Sequence, residues 1–334
     1  MNVLVTGGAG FVGSHLVEQL CREGETVRVV DNLSTGNPQN LKPFLNQIEF
    51  IQGDLLDETV RERAVVGVDV IFHEAAIPSV PRSVKNPVES HLHGAHLTLL
   101  LLDAARRHKV RRLIFAGSSS AYGDTVTLPK VESMLPQPLS PYAASKLAAE
   151  YYALVFAQCY ELDTVVLRYF NVYGPRQDPN SPYSGVIARF CQAFSNQLPI
   201  TIFGDGEQSR DFTYISNVVQ ANLRAARTPT RLGGRVLNIG CGERCTLNAM
   251  FSLFNELSGQ SLKATYKPTR EGDVKHSLAD IGLARKLIDY QPECLFREGL
   301  AKTLEWYKKQ SVPNDSAMSG CVDTLKQETM RNGQ

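Results

Sequence analysis

Thr6-Gly7-Gly8-Ala9-Gly10-Phe11-Val12-Gly13 is the stretch that decides how this chain folds. The apolar run Val3–Val5 leads into it and an amphipathic stretch opens at Phe11, so the glycines lie between a strand and a helix. In that setting Gly7 permits a tight turn, Gly10 lets a diphosphate approach the backbone, and Gly13 lets the helix pack close to the strand. The helix N-terminus then faces the phosphates.

Working outward, the next apolar run closes on an acid, Asp31. An aspartate at that place accepts hydrogen bonds from a ribose 2′-hydroxyl and repels a 2′-phosphate, which points to NAD rather than NADP. Asp54-Leu55 follows the third run, where a side chain reaches an adenine; a cap for the next helix is the alternative role for Asp54. The expected strands are 2–6, 26–31, 48–52, 70–73, 112–117 and 164–169. The expected helices are 11–23, 57–65, 88–108 and 141–159. Alternation of this kind calls for an α/β fold of the Rossmann type, a doubly wound parallel sheet with helices on both faces.

After Asn171 the pattern changes. Pro175, Pro179 and Pro182 crowd one loop, and a helix near 185–196 and a strand near 200–203 follow. Residues 216–227 and 235–239 read as a return to the sheet. The expected organisation is a cofactor domain of 1–170 plus about 212–240, interleaved with a smaller substrate domain of 171–211 and 241–310. A polar tail of 311–334 has no clear period and is expected to be poorly ordered.

The chain has 334 residues, a formal net charge of +1, and 21% charged residues, so no broad nucleic-acid or membrane footprint is expected. No apolar run approaches the ~20 residues of a membrane span. Because a cleaved leader would remove the glycine loop, the start reads as mature protein. The seven scattered cysteines read as reduced thiols in a cytoplasmic protein. Cys241 and Cys245 lack a second ligand pair, so no metal is expected. Of His91, His93 and His96, only the last two share a helix face, which reads as solvated surface.

The chemistry lies in two short segments. Tyr142 and Lys146 are four residues apart on an expected helix and share a face. A nearby ammonium favours a phenolate, so the pair can supply a tyrosinate base near neutral pH. The fifth strand runs into Ser118-Ser119-Ser120, and strand carboxyl ends line the ligand crevice of an open α/β sheet.

With these residues the chain, from about Met1 to Tyr307, resembles the extended short-chain dehydrogenase/reductases, and within them the UDP-glucose 4-epimerase group. Further motifs carry the resemblance: Gly53-Asp54-Leu55, His73-Glu74-Ala75-Ala76, Arg168-Tyr169-Phe170-Asn171, Gly174-Pro175-Arg176-Gln177, Gly204-Asp205-Gly206, Arg210-Asp211-Phe212 and Arg270-Glu271-Gly272-Asp273. The resemblance implies catalytic roles for Tyr142, Lys146, Ser118 and Ser120. It implies NAD contacts from Gly7, Gly10, Phe11, Val12, Gly13, Asp31, Asn32, Ser34, Gly36, Asp54, Leu55, Ala75, Ala76, Tyr142, Lys146 and Tyr169. It also implies nucleotide-sugar contacts from Ser118, Ser119, Tyr142, Asn171, Val186, Phe203, Arg210, Arg270, Asp273 and Ser277. Two arginines suit a diphosphate, and an aromatic side chain can cover a uracil face. One departure stands out: Gly94 falls where the family carries an asparagine near the nicotinamide ribose.

The implied activity is 4-epimerisation of UDP-glucose and UDP-galactose through a transient 4-keto sugar. UDP-GlcNAc/UDP-GalNAc is the alternative, because Ser277 leaves room where a tyrosine excludes an N-acetyl group. A 4,6-dehydratase needs an acid and a base where this chain has Ser119-Ser120. Enzymes acting on uronates tend to carry basic residues where Asp178 stands. A silent NAD-binding regulator would not need both Tyr142 and Lys146. A homodimer is expected through 88–108 and 141–159, with Leu99–Leu102 as surplus apolar surface.

Overall fold

The computed structural model describes residues 1–179, 185–269 and 275–311. Arg270 and Asp273, and the tail from residue 312, lie outside the described residues. Six strands form in chain order: β1 (Asn2–Thr6), β2 (Thr26–Asp31), β3 (Ile48–Gln52), β4 (Val70–His73), β5 (Arg112–Ser118) and β6 (Asp163–Tyr169). With strand Arg235–Ile239 they make one seven-stranded sheet. From one edge its order is Arg235–Ile239, β6, β5, β4, β1, β2, β3, and every pairing is parallel. The order in which strands are added reverses between β1 and β4, which opens a crevice at their carboxyl ends.

Six helices accompany these strands: α1 (Phe11–Arg22), α2 (Glu58–Val65), α3 (Val80–Lys85), α4 (Pro87–His91), α5 (Leu97–Arg107) and α6 (Pro141–Cys159). Ser140 caps α6 by accepting from the Ala143 N–H, with Pro141 in the first turn. The central strands are buried on both faces, as a parallel sheet covered on two sides requires. Among the described residues no helix is long and apolar enough to cross a membrane.

The expected single helix 88–108 is instead α4, a wider π turn at Leu92–His96, and α5. The cause is tertiary. Ser145 on α6 accepts from the Ala95 N–H at 3.0 Å and donates to the Ser90 carbonyl at 3.0 Å, entering the helical ladder from the side. The turn also alters the histidine surface: His93 lines the large cleft described below, while His96 is exposed. Of the apolar run Leu99–Leu102, Leu101 and Leu102 are buried in the chain's own core, so it is not all surplus surface.

Beyond β6 the short strands pair outside the main sheet. Val172–Tyr173 lies beside Thr213–Tyr214, Ser209–Arg210 beside Cys245–Thr246, and Ile200–Phe203 beside Ala264–Lys267. The last described helix, Phe296–Ser311, runs to the start of the expected polar tail.

Candidate active site

The carboxyl ends of β1, β2, β4 and β5 border a cleft of about 1280 Å³. Every residue expected to hold the cofactor lines it, from Gly7 to Tyr169, and so does Ser118. The glycine loop is built for close approach: a Cβ on Gly13 would sit 2.2 Å from the Gly7 carbonyl oxygen. No side chain caps α1 at Gly10, which leaves the N-terminal N–H groups of the helix for a ligand. The residues present therefore fit a dinucleotide diphosphate.

Asp31 is 8% exposed and organises the same loop. It accepts from the Ala9 N–H at 2.9 Å and the Leu33 N–H at 2.8 Å. Burial pushes its carboxyl above the usual range, against the pull of those two bonds. Asp54 accepts from the Leu56 N–H and from Asn32 Nδ2, both at 2.9 Å; the cap of α2 is Asp57, so the alternative role for Asp54 falls to its neighbour.

A buried ladder ties three elements beneath the cleft. The Ala75 N–H donates to Thr6 Oγ1 at 3.1 Å, and Thr6 pairs with His73 Nδ1 at 2.8 Å. His73 Nε2 meets Thr98 Oγ1 at 3.0 Å, and Thr98 donates to the Gly94 carbonyl at 2.7 Å. With Thr98 donating onward, the His73 proton belongs on Nε2 and the ring is neutral. Burial, and secondarily the Lys146 ammonium, hold the ring down at about 3. Gly94, the departure from the family pattern, has a packing reason: a Cβ there would lie 2.0 Å from Ser145 Oγ.

At the end of β5 the expected catalytic groups meet. Ser118 Oγ and Ser120 Oγ are 2.7 Å apart, and Tyr142 hydrogen-bonds Ser118. Ser119 opens the short turn Ser119–Tyr122 between them. Lys146 donates to the Ala116 carbonyl at 2.8 Å and lies 4.8 Å from the Phe115 ring centre. Burial pushes the Tyr142 phenol up, opposing the downward pull of Ser118. Burial also lowers Lys146, to about 8, and raises Glu74, to about 7; each charge partly counters the other's shift. Glu74 was not among the expected site residues. Its signal was present, since it is an acid directly after an apolar strand whose carboxyl end borders the crevice.

The second group lies beyond β6. Asn171, at φ 33°, donates from Nδ2 to the Asp211 carbonyl at 2.9 Å and to Ser277 Oγ at 3.1 Å. Arg210 Nη1 is held by the Ser209 and Lys275 carbonyls, each at 3.0 Å. Phe203 ends its strand, and Val186 begins helix Val186–Ser195. These five residues do not line the large cleft themselves. Arg176 lines the cleft and pairs with Glu18 of α1.

A parallel sheet whose carboxyl edge carries a glycine loop and a Ser–Tyr–Lys group fits a dinucleotide-binding enzyme. Residues 3–240 match the NAD dependent epimerase/dehydratase family, and the chain belongs to that family. Its cofactor is NAD. A UDP-glucose 4-epimerase of Mycolicibacterium smegmatis is 36% identical over 315 residues, spanning 93% of this chain and 100% of that protein. The UDP-glucose 4-epimerase of Thermotoga maritima, solved with UDP-glucose, superposes with a TM-score of 0.88 at 39% identity, covering 93% of this chain and 99% of that one. A UDP-N-acetylglucosamine 4-epimerase of Methanobrevibacter ruminantium M1, solved with UDP-N-acetylmuramic acid, gives 0.88 at 40% identity, covering 92% and 98%.

Proposed function

We propose that this chain is a UDP-hexose 4-epimerase working through a transient 4-keto sugar. The observation that carries the reading is the convergence of Ser118, Tyr142 and Lys146 in the lining of the NAD cleft at the end of β5, with Ser120 against Ser118. Gly7 to Gly13, Asp31 and Lys146 would hold NAD, which when bound would supply a reversible hydride acceptor for C4 of the sugar and a cationic ring that favours the phenolate. Tyr142 accepts the proton of the 4-hydroxyl on oxidation and gives it back on reduction. Ser118 hydrogen-bonds the same sugar oxygen, with its hydroxyl oriented by Ser120. Lys146 keeps positive charge near the phenol. Arg210, Phe203, Asn171 and Val186, with Arg270 and Asp273, hold the UDP portion so that the ketone can turn without leaving.

UDP-glucose/UDP-galactose is the first substrate pair. One observation favours admission of the N-acetylated pair as well: Ser277 presents a small hydroxyl toward Asn171. The test is an assay of purified protein on both pairs, following the 4-epimer by chromatography. Interconversion of either pair supports the reading, with the kcat/KM ratio setting the preference; no interconversion of either pair overturns it.

The active form in this reading is a homodimer. Val84 and Val88 are 64% and 70% exposed, and Leu92, Tyr151, Tyr152 and Val155 extend that surface across the π turn and α6. Light scattering should report twice the chain mass at micromolar concentration; a monomer rejects this part of the proposal.

A further inference from the structure

Glu74 directly follows β4 and lines the cleft, yet neither the glycine loop nor the Ser–Tyr–Lys group uses it. Two other elements hold its carboxylate. Tyr169, the last residue of β6, donates its hydroxyl to Glu74 Oε1 at 2.8 Å. Asn222, on helix Ile215–Arg227, donates from Nδ2 to the Tyr169 oxygen at 2.8 Å and to the Val218 carbonyl at 2.9 Å. Both amide protons are thus committed, and the Tyr169 proton is directed at Glu74.

From α6 the Lys146 ammonium acts on the same carboxylate. The other titratable groups facing it carry no charge near neutral pH. His73 of β4 is a neutral member of the threonine ladder, and burial raises the phenols of Tyr142 and Tyr169. When Glu74 is ionised, the site thus sets one carboxylate, held in place by Tyr169, against one ammonium at the end of the cleft where Tyr142 lies.

We infer that Glu74 is the counter-charge that makes this cleft prefer the oxidised, cationic nicotinamide of NAD to its reduced, neutral form. Lys146 alone would repel a cationic ring held beside Tyr142; a fixed carboxylate offsets that repulsion. The two cofactor forms differ in that ring charge and share the adenosine and diphosphate. Contacts from Asp31 and the α1 terminus therefore cancel in the ratio of their affinities. The use of this preference rests on the epimerase reading: a site that favours the oxidised form drives the hydride back to the sugar and leaves little enzyme stranded in the reduced state.

The test is to titrate the full-length chain, freed of carried nucleotide, with NAD+ and separately with NADH. Glu74→Gln keeps the volume and still accepts from Tyr169. It should weaken NAD+ binding about five- to tenfold relative to NADH, as loss of one nearby unit charge implies. Glu74→Asp should retain most of the preference. A second measurement needs no variant. Between about pH 7 and pH 5, Lys146, His73 and both tyrosines keep their protonation while Glu74 takes up a proton, so the wild-type preference for NAD+ should fall about threefold or more. Parallel loss of both cofactor forms in Glu74→Gln would assign the residue to packing and overturn the inference. A wild-type ratio that stays flat with pH overturns it too, and decides alone if the variants do not fold. Sugar turnover enters neither measurement, so failure here leaves the epimerase reading standing, and absence of turnover leaves the ratio measurable.

Discussion

The walls of the NAD cleft and the surroundings of Asn171 are held by different kinds of contact. At the cleft, position comes from backbone pairing: Thr6 stands opposite Val30 on one side and His73 on the other, within a continuous parallel ladder. Around Asn171 the ladders are two residues long, and side chains do the joining. Asp211 is fully buried and accepts from the Cys241, Gly242 and Ala279 N–H groups at 2.8, 3.0 and 3.1 Å. Asn171 then ties the Asp211 carbonyl to Ser277. In the first region paired strands carry the frame, and Asp31 and the Thr6–His73–Thr98 ladder fasten loops and a helix onto it. In the second a side chain is the frame, and its loss moves several segments together.

Substitutions can break or sharpen this contrast, and the largest effect is expected inside the cleft. Tyr142→Phe removes the proton acceptor and little packing. Turnover should fall roughly 10²–10⁴-fold, with NAD content and melting temperature near wild type. Loss of folded protein, or a near-normal rate, would contradict the assignment.

Arg210→Ala probes the other region. Losing a charge-assisted contact to a diphosphate is worth about 1.5–3 kcal/mol, so kcat/KM should drop roughly 10- to 100-fold, mostly through KM. NAD affinity should not change. A matching loss of NAD binding would show that the two regions are not separable.

Ser277→Tyr adds a ring beside Asn171. Overfilling a formed pocket costs on the order of 1–3 kcal/mol, which would cut kcat/KM on N-acetylated substrates about tenfold or more. Activity on UDP-glucose and UDP-galactose should fall much less. Equal losses on both pairs would remove Ser277 from substrate selection.

Asp211→Asn gives the smallest change and bears most directly on the contrast. An amide nitrogen would face backbone N–H groups, at a cost of about 1–3 kcal/mol. Urea denaturation should detect that loss, together with a raised KM for the UDP-sugar and unchanged NAD affinity. If NAD affinity falls in step, the frame is shared after all.

The contrast also explains what could be read from the residues alone. β1 to β4 and α6 fall on their expected bounds, because short apolar runs and a capped helix leave a local pattern. Most of the expected cofactor residues are legible for the same reason, since they cluster just beyond β1, β2, β3 and β4. The π turn is not, because it depends on Ser145, some fifty residues away. Two-residue strands such as Ser209–Arg210 have no period to detect. Trp306 and Gln310 border the NAD cleft through the last described helix, a juxtaposition set by packing with no local trace.

The edge strand Arg235–Ile239 has a consequence for synthesis of the chain. It pairs with β6, but roughly 65 residues separate Tyr169 from Arg235. At translation rates of about 5–20 residues per second, β6 leaves the ribosome several seconds before its outer partner. During that interval the backbone of Val165, Val166 and Leu167 forms an unsealed apolar edge, open to pairing with another nascent chain. Slow codons or a truncation between residues 170 and 234 would lengthen that exposure or make it permanent. Yield in expression hosts should therefore depend on how quickly this middle segment is translated, and on whether a chaperone covers β6 meanwhile.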